Sequence, residues 1–208
     1  MHRNYKIGLI RKLTLKAALR RKDDFQEFAG AKLRKFASDA LAIHTLMSRC
    51  RPQVIVEMGA CHGGSALQMA SYADLIGVEN IISCDIAEVP RPAHPKIQYL
   101  LGDNAGTEIV KQVHDLVGGR RCSLILDSNH HAYHVTKELD LYHDLVTPGQ
   151  ALIVEDTHVD VLNFRAFRET GGPLVALDAF LNKHPEFQTA EGAEPYLTTN
   201  LFGYLIRR

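Results

Sequence analysis

The sequence lacks an excess of charge, a long apolar run and any close cysteine pair, and each absence excludes something. Lys plus Arg and Asp plus Glu number 24 each, so the overall balance gives no reason to expect a nucleic-acid partner. No apolar stretch approaches the ~20 residues of a membrane span, and no transmembrane segment is expected. The start, MHRNYKIGLIRKL, is basic, yet its apolar pieces are short and soon interrupted, which disfavours a secretory signal. The four cysteines (Cys50, Cys61, Cys84 and Cys122) show no CxxC spacing. Three lie in or beside predicted strands, where a free thiol serves as a small apolar filler. Buried thiols in a reducing cytoplasm are the expectation.

What is present suffices for a core. The chain has 208 residues, 46% of them hydrophobic. A chain this long buries roughly 70% of its unfolded surface without needing disulfides. The first 22 residues carry eight basic side chains (Arg3, Lys6, Arg11, Lys12, Lys16, Arg20, Arg21 and Lys22) and no acid. Ile7, Ile10, Leu13, Ala17 and Leu19 recur there at roughly helical spacing. A basic amphipathic helix results, packed on the domain or on a second subunit; an anionic surface is its other use. A second helical stretch is predicted over 24–50, on Phe25, Phe28, Leu33, Phe36, Leu41 and Leu46. Residues 1–50 thus read as a helical N-terminal segment and 51–208 as the ligand-binding domain, with a homo-oligomer left open.

From residue 53 the pattern alternates. Strands are predicted at 53–58, 80–86, 97–102, 122–127 and 150–156, mostly continuously apolar, as strands covered on both faces should be. Helices are predicted at 64–76, 106–118, 134–146 and 172–184. The segments EFQTAEG and NLFGYLIRR add two short strands as an antiparallel edge. The fold class is α/β: a doubly wound, mostly parallel, seven-stranded sheet with N-terminal helices.

Ligands of such sheets bind beyond the carboxyl ends of the strands, where strand order reverses. The first strand ends in Glu57-x-Gly59-x-x-x-Gly63-Gly64-Ser65. Its second glycine arrives one residue late for the dinucleotide pattern GxGxxG, which disfavours a nicotinamide cofactor. Gly59 permits close backbone approach, Gly63 and Gly64 permit a left-handed turn, and the helix start beyond them favours a carboxylate. Asp85 ends the second strand, where an acid accepts hydrogen bonds from ribose hydroxyls. Asp103, in GDN after the third strand, is placed to meet an adenine amino group. A glycine turn, a ribose acid and an adenine acid without a phosphate clamp suit S-adenosylmethionine.

VIVEMGACHGGSAL and LILDSNHHAYHVTKELDLYHDLVTPGQALIVEDT together resemble the class I S-adenosylmethionine-dependent methyltransferases. The closer likeness is to the cephalosporin hydroxylase family, which includes sugar O-methyltransferases acting on rhamnosyl and macrolide substrates. The resemblance covers roughly residues 50–165 and implies a Rossmann-like methyltransferase. Asp127 ends the fourth strand, and Glu155 and Asp156 end the fifth. Three converging carboxylates stay ionised together only if a cation neutralises them. Oxygen ligands suit Mg²⁺, with Mn²⁺ or Ca²⁺ also fitting. The resembled family binds a divalent metal with this trio. It also places a histidine after the strand-four acid, which gives His130, beside Asp127, the role of general base or substrate contact.

The activity so implied is metal-dependent O-methyl transfer to a hydroxyl of a small molecule or glycosyl group. A hydroxylase on the same fold is disfavoured, because non-haem iron sites use two histidines and one carboxylate. Zinc held by a His130–His134 pair would be a competing metal site, and a non-catalytic cofactor-binding scaffold a competing function. Two departures stand out: the N-terminal substrate segment looks short, and the sequence contains no tryptophan to match a tryptophan-containing stretch of the family. The proline-rich loop 86–96 is expected over the cofactor face, and 157–172 as a lid.

Overall fold

The computed structural model describes residues 5–20 and 26–208; Arg3, Arg21, Lys22 and Phe25 of the N-terminal segment lie outside the described residues. In chain order the elements are α1 (Leu9–Leu19), β1 (Gln26–Phe28), β2 (Ala31–Leu33), α2 (Ala37–Cys50) and β3 (Val54–Met58). Next come α3 (Gly64–Ile76), β4 (Asn80–Asp85), β5 (Ile97–Leu101), α4 (Thr107–Val117) and β6 (Cys122–Leu126). The remainder is α5 (Ala132–Tyr142), β7 (Ala151–Val154), α6 (His158–Val161), α7 (Pro173–Lys183), β8 (Phe187–Thr189) and β9 (Tyr204–Arg207).

Seven strands form one sheet in the order β5-β4-β3-β6-β7-β9-β8. β5 through β7 run parallel, and β9 pairs antiparallel with both β7 and β8. Every residue of β3, β6 and β7 is buried, as the unbroken apolar runs require. Alternation divides them between two cores. Val54, Val56, Met58, Leu124 and Leu126 face α4, α5 and α7, whereas Ile55, Ile125 and Ile153 face α2 and α3. The seven-stranded, mostly parallel expectation holds, with β3 and β6 flanking the point of reversal.

The N-terminal segment differs from expectation. Residues 26–33 form a β-hairpin rather than helix, with partners Gln26↔Leu33 and Phe28↔Ala31. Ala29 (φ 49°) and Gly30 (φ 81°) make its two-residue turn, and paired positive φ values match the twist of the flanking strands. Only 37–50 of the predicted stretch is helix. The hairpin packs on α3, which explains Gly64: a Cβ there would lie 2.2 Å from the Lys32 carbonyl oxygen. α1 lies on the chain itself, with Leu15 buried and Arg11 bonded to Glu194 at 2.7 Å and to the carbonyls of Pro195 and Tyr196.

Buried Asp39, in the first turn of α2, fastens the segment before β9. It accepts hydrogen bonds from the Thr198 hydroxyl, the Thr199 N–H and hydroxyl, and the Tyr204 hydroxyl. Among the described residues no helix is long and apolar enough to cross a membrane. Cys84 and Cys122 are buried as expected, and Cys50 is half-buried. Cys61 is exposed, because its turn leaves the sheet and opens onto a cavity.

Candidate active site

The strand order sets the order of the acids along the carboxyl edge of the sheet. Asp103 follows β5, Asp85 ends β4, Gly59 follows β3, Asp127 follows β6 and Asp156 follows β7. All five border one cavity of about 610 Å³, a size that suits a small-molecule ligand. Arg34, Cys61, Ile86, Ala87, Asn104, Ser128, Asn129, His130 and His134 complete its lining.

Asp85 shapes the half of the cavity beside β4. Its Oδ2 accepts the Cys61 N–H at 2.7 Å and its Oδ1 the Ala87 N–H at 2.8 Å, while the Arg91 guanidinium stands 3.8 Å away. Each carboxylate oxygen keeps a second lone pair for a ligand hydroxyl. Asp103 bonds the Ala105 N–H at 2.9 Å, turning the chain into α4, and still faces the cavity. Ile86, 74% exposed, and Ala87 bring the start of the proline loop to the wall.

The glycine turn makes the expected left-handed bend at Gly63 (φ 76°), and its glycines also admit neighbouring protein atoms. A Cβ on Gly59 would lie 2.0 Å from the Asp127 carbonyl oxygen, so its bareness lets β3 and β6 close upon each other. Gly63 makes room for the Tyr99 hydroxyl and Pro92, and Gly64 for the hairpin. Neither Gly63, Gly64 nor Ser65 lines the cavity. Ser65 donates to Glu57, which also accepts from Ser83 at 2.6 Å and is fully buried. Burial pushes the Glu57 carboxyl up, against the pull of Lys35 and both hydroxyls. Of the seven cofactor candidates, the structure brings Gly59, Asp85 and Asp103 to the cavity and keeps Glu57, Gly63, Gly64 and Ser65 behind it.

The other half is acidic. Asp127, His130 and Asp156 each offer one donor atom, all within 4.8 Å of one another. His130 Nε2 lies 3.3 Å from Asp156 Oδ2. Asp156 has φ 54°, a strained conformation for a non-glycine residue, and its N–H is held by Asn200 Oδ1 at 2.9 Å. Glu155 is 3% exposed and paired with Lys35 at 2.6 Å. Lys35 also reaches Asp127 Oδ2 at 2.7 Å. Burial would lower the Lys35 ammonium, but Asp127, Glu155 and Glu57 together hold it well above the ordinary lysine value.

Two carboxylates and an imidazole around open space fit a divalent cation, with water or substrate completing the shell. A two-histidine iron triad is not assembled among the described residues. His158 Nδ1, 3.5 Å from Asp156, also meets the Thr199 carbonyl at 3.2 Å and so carries a proton there. A zinc pair fails too: His130 turns to Asp156, while His134 turns to Glu138 at 3.4 Å. None of residues 157–172 lines the cavity; Asp160 ties that segment down through the N–H groups of Gly172 (2.6 Å) and Leu174 (2.9 Å).

Arg34, Asn104 and Ser128 escaped the sequence reading. Asn104 adjoins Asp103 and Ser128 adjoins Asp127, so extending each acid by one residue would have found them. Arg34 comes from beyond the hairpin, and no signal in the sequence marks it.

Known proteins share this fold and sequence. A rhamnosyl O-methyltransferase of Mycobacterium leprae (strain TN) is 29% identical over 191 residues, covering 86% of this chain and 82% of that protein. CmcI solved with Mg and SAM superposes with a TM-score of 0.67 at 17% identity, over 100% of this chain and 88% of the other. MycE, a methyltransferase from mycinamycin biosynthesis solved with Mg and SAH, has a TM-score of 0.54 at 20% identity. That match covers 74% of this chain and 42% of MycE. The family model described as rhamnosyl O-methyltransferase/CmcI matches residues 22–208, and the chain belongs to that family.

Proposed function

We propose that this protein transfers the methyl group of S-adenosylmethionine to a hydroxyl of a sugar, of the rhamnosyl class, with a divalent cation at Asp127 and Asp156. The observation that carries the reading is the order of groups along the sheet edge. Asp103, Asp85 and Gly59 lie on one side of the reversal, suited to a nucleoside. Asp127, His130 and Asp156 lie on the other, suited to a cation and an acceptor. Family membership and the rhamnosyl O-methyltransferase relatives support the sugar acceptor.

The reaction is an in-line displacement: the acceptor oxygen bonds the methyl carbon, and the carbon–sulfur bond breaks with its electron pair going to sulfur. Holding the partners aligned supplies roughly 7–11 kcal/mol of the barrier. Asp85 accepts hydrogen bonds from the ribose, and Asp103 fixes the adenine end. When bound, a divalent cation supplies a Lewis acid that lowers the pKa of a coordinated hydroxyl. His130 takes the acceptor's proton. A carboxylate already faces its Nε2, which orients the ring and leaves the other nitrogen to take the proton.

Purified protein incubated with S-adenosylmethionine and rhamnosyl acceptors should yield a product heavier by one methylene, detected by mass spectrometry. EDTA should abolish turnover and Mg²⁺ or Mn²⁺ restore it. Calorimetry showing tight NAD binding and no response to S-adenosylmethionine would overturn the cofactor assignment. Turnover indifferent to EDTA would overturn the cation.

A further inference from the structure

We propose that Glu138, buried on α5, is a positioning residue that makes the base end of the cavity rich in hydrogen-bond acceptors, so that it selects a 6-aminopurine over a 6-oxopurine. The inference rests on the proposed nucleoside site and deepens it.

Glu138 is fully buried and does not itself line the cavity, but three residues that do line it turn toward one of its oxygens. The Ser128 hydroxyl donates to Glu138 Oε1 at 2.6 Å and the Asn104 Nδ2 at 3.3 Å, and His134 Nε2 stands 3.4 Å away. α5 holds Asn104 a second time, because the buried Tyr142 hydroxyl donates to the Asn104 carbonyl. One helix thus fixes both the backbone and the amide of the residue beside Asp103.

A carboxylate only accepts, and that sets the polarity of its neighbours. The Asn104 amide cannot reverse without setting its own oxygen against Glu138 Oε1. Ser128 has a single hydroxyl proton and gives it to Glu138, which leaves that oxygen its lone pairs. Asp103, next along the wall, adds a further carboxylate. Asn104 is 6% exposed, and its Oδ1 and Glu138 Oε2 are buried acceptors with no partner among the described residues. Buried acceptors left unpaired are costly, so this wall is short of protons and is completed by a group that brings them. The exocyclic amine of adenine brings two N–H donors. A carbonyl at the same position brings one more acceptor and is refused.

The test is calorimetry with S-adenosylhomocysteine and S-inosylhomocysteine, whose purines carry an amino and an oxo group respectively at position six. The unaltered protein should prefer the adenosyl compound by at least about a hundredfold. Glu138→Met frees the Ser128 and Asn104 donors to turn outward, and the preference should fall at least about tenfold. Glu138→Gln keeps an acceptor oxygen in place and should hold the preference within about threefold of the original. A purely structural role would weaken both ligands alike, so an unchanged ratio in Glu138→Met overturns the proposal. An equal fall in Glu138→Gln and Glu138→Met overturns it too. Should Glu138→Met fail to fold, Asn104→Ala decides by the same ratio, with a fall of at least about fivefold expected and no change overturning the proposal. Equal binding of the two compounds by the unaltered protein overturns this inference and leaves methyl transfer standing. Binding of neither compound overturns the nucleoside site with it.

Discussion

At Gly59 the backbone has φ 105°, and the space where a Cβ would stand is filled by the Asp127 carbonyl, 2.0 Å away. Both facts oppose any side chain. Gly59→Ala should destabilise the fold by at least about 2 kcal/mol, read as a lowered denaturation midpoint. It should also displace Asp127 and weaken metal binding. Asp85 makes the opposite kind of contribution. Its two N–H partners tie the turn after β3 to the chain leaving β4, and it lines the cavity. Asp85→Ala should cost at least about tenfold in S-adenosylmethionine affinity by calorimetry, the order expected for a lost charge-assisted hydrogen bond. Unchanged affinity would remove Asp85 from the nucleoside site. Both residues stand out in the sequence, as a strand-end glycine and a strand-end acid. The difference lies in what each omission or charge is for. A missing side chain records that something lies close without saying whether it is ligand or protein; at Gly63 and Gly64 it is protein, and Gly59 meets the Asp127 carbonyl while also bordering the cavity.

Among elements, the hairpin β1–β2 does most to change the reading of the site. Phe25 with Phe28, and Leu33 with Phe36, stand at helical spacing, and short apolar runs do not distinguish helix from strand. The Ala29–Gly30 turn resolves them, but its positive φ at a non-glycine residue is not written in the sequence. The hairpin carries Arg34 and Lys35 to the carboxyl edge of the sheet, so missing it meant missing both. Gly64→Ala should push it away, because the new Cβ would meet the Lys32 backbone at 2.2 Å. A loss of about 1–3 kcal/mol is expected, with faster proteolysis or amide exchange within residues 26–33. Exchange rates matching the unaltered protein would show the hairpin to be held by other contacts. The strands β3, β6 and β7 were legible for the opposite reason. An unbroken apolar run bounded by an acid has few other fates in a chain of this composition.

For the molecule as a whole, stability near neutral pH carries a signature from the cavity rim. The hydrogen bond to Glu138 raises the His134 imidazolium above its ordinary 6.5, against partial desolvation. A raised histidine contributes stability that is fully present below the unfolded value and is lost as pH climbs through the folded one. The melting temperature should therefore decline from about pH 6.5 upward by an amount that His134→Gln abolishes. Identical pH profiles for the two proteins would show that His134 is not coupled to folding.

The sequence by itself determined the alternation of strands and helices, the burial of the central strands, and the acids and glycine that strand ends present. These follow from local periodicity and from the need to cover both faces of a parallel sheet. Tertiary structure alone decided which of those groups share the cavity. It left Asp127 and Asp156 lining the cavity and buried Glu155 against a lysine 120 positions earlier. Pairing across such a distance depends on where a hairpin docks, and no local pattern encodes that.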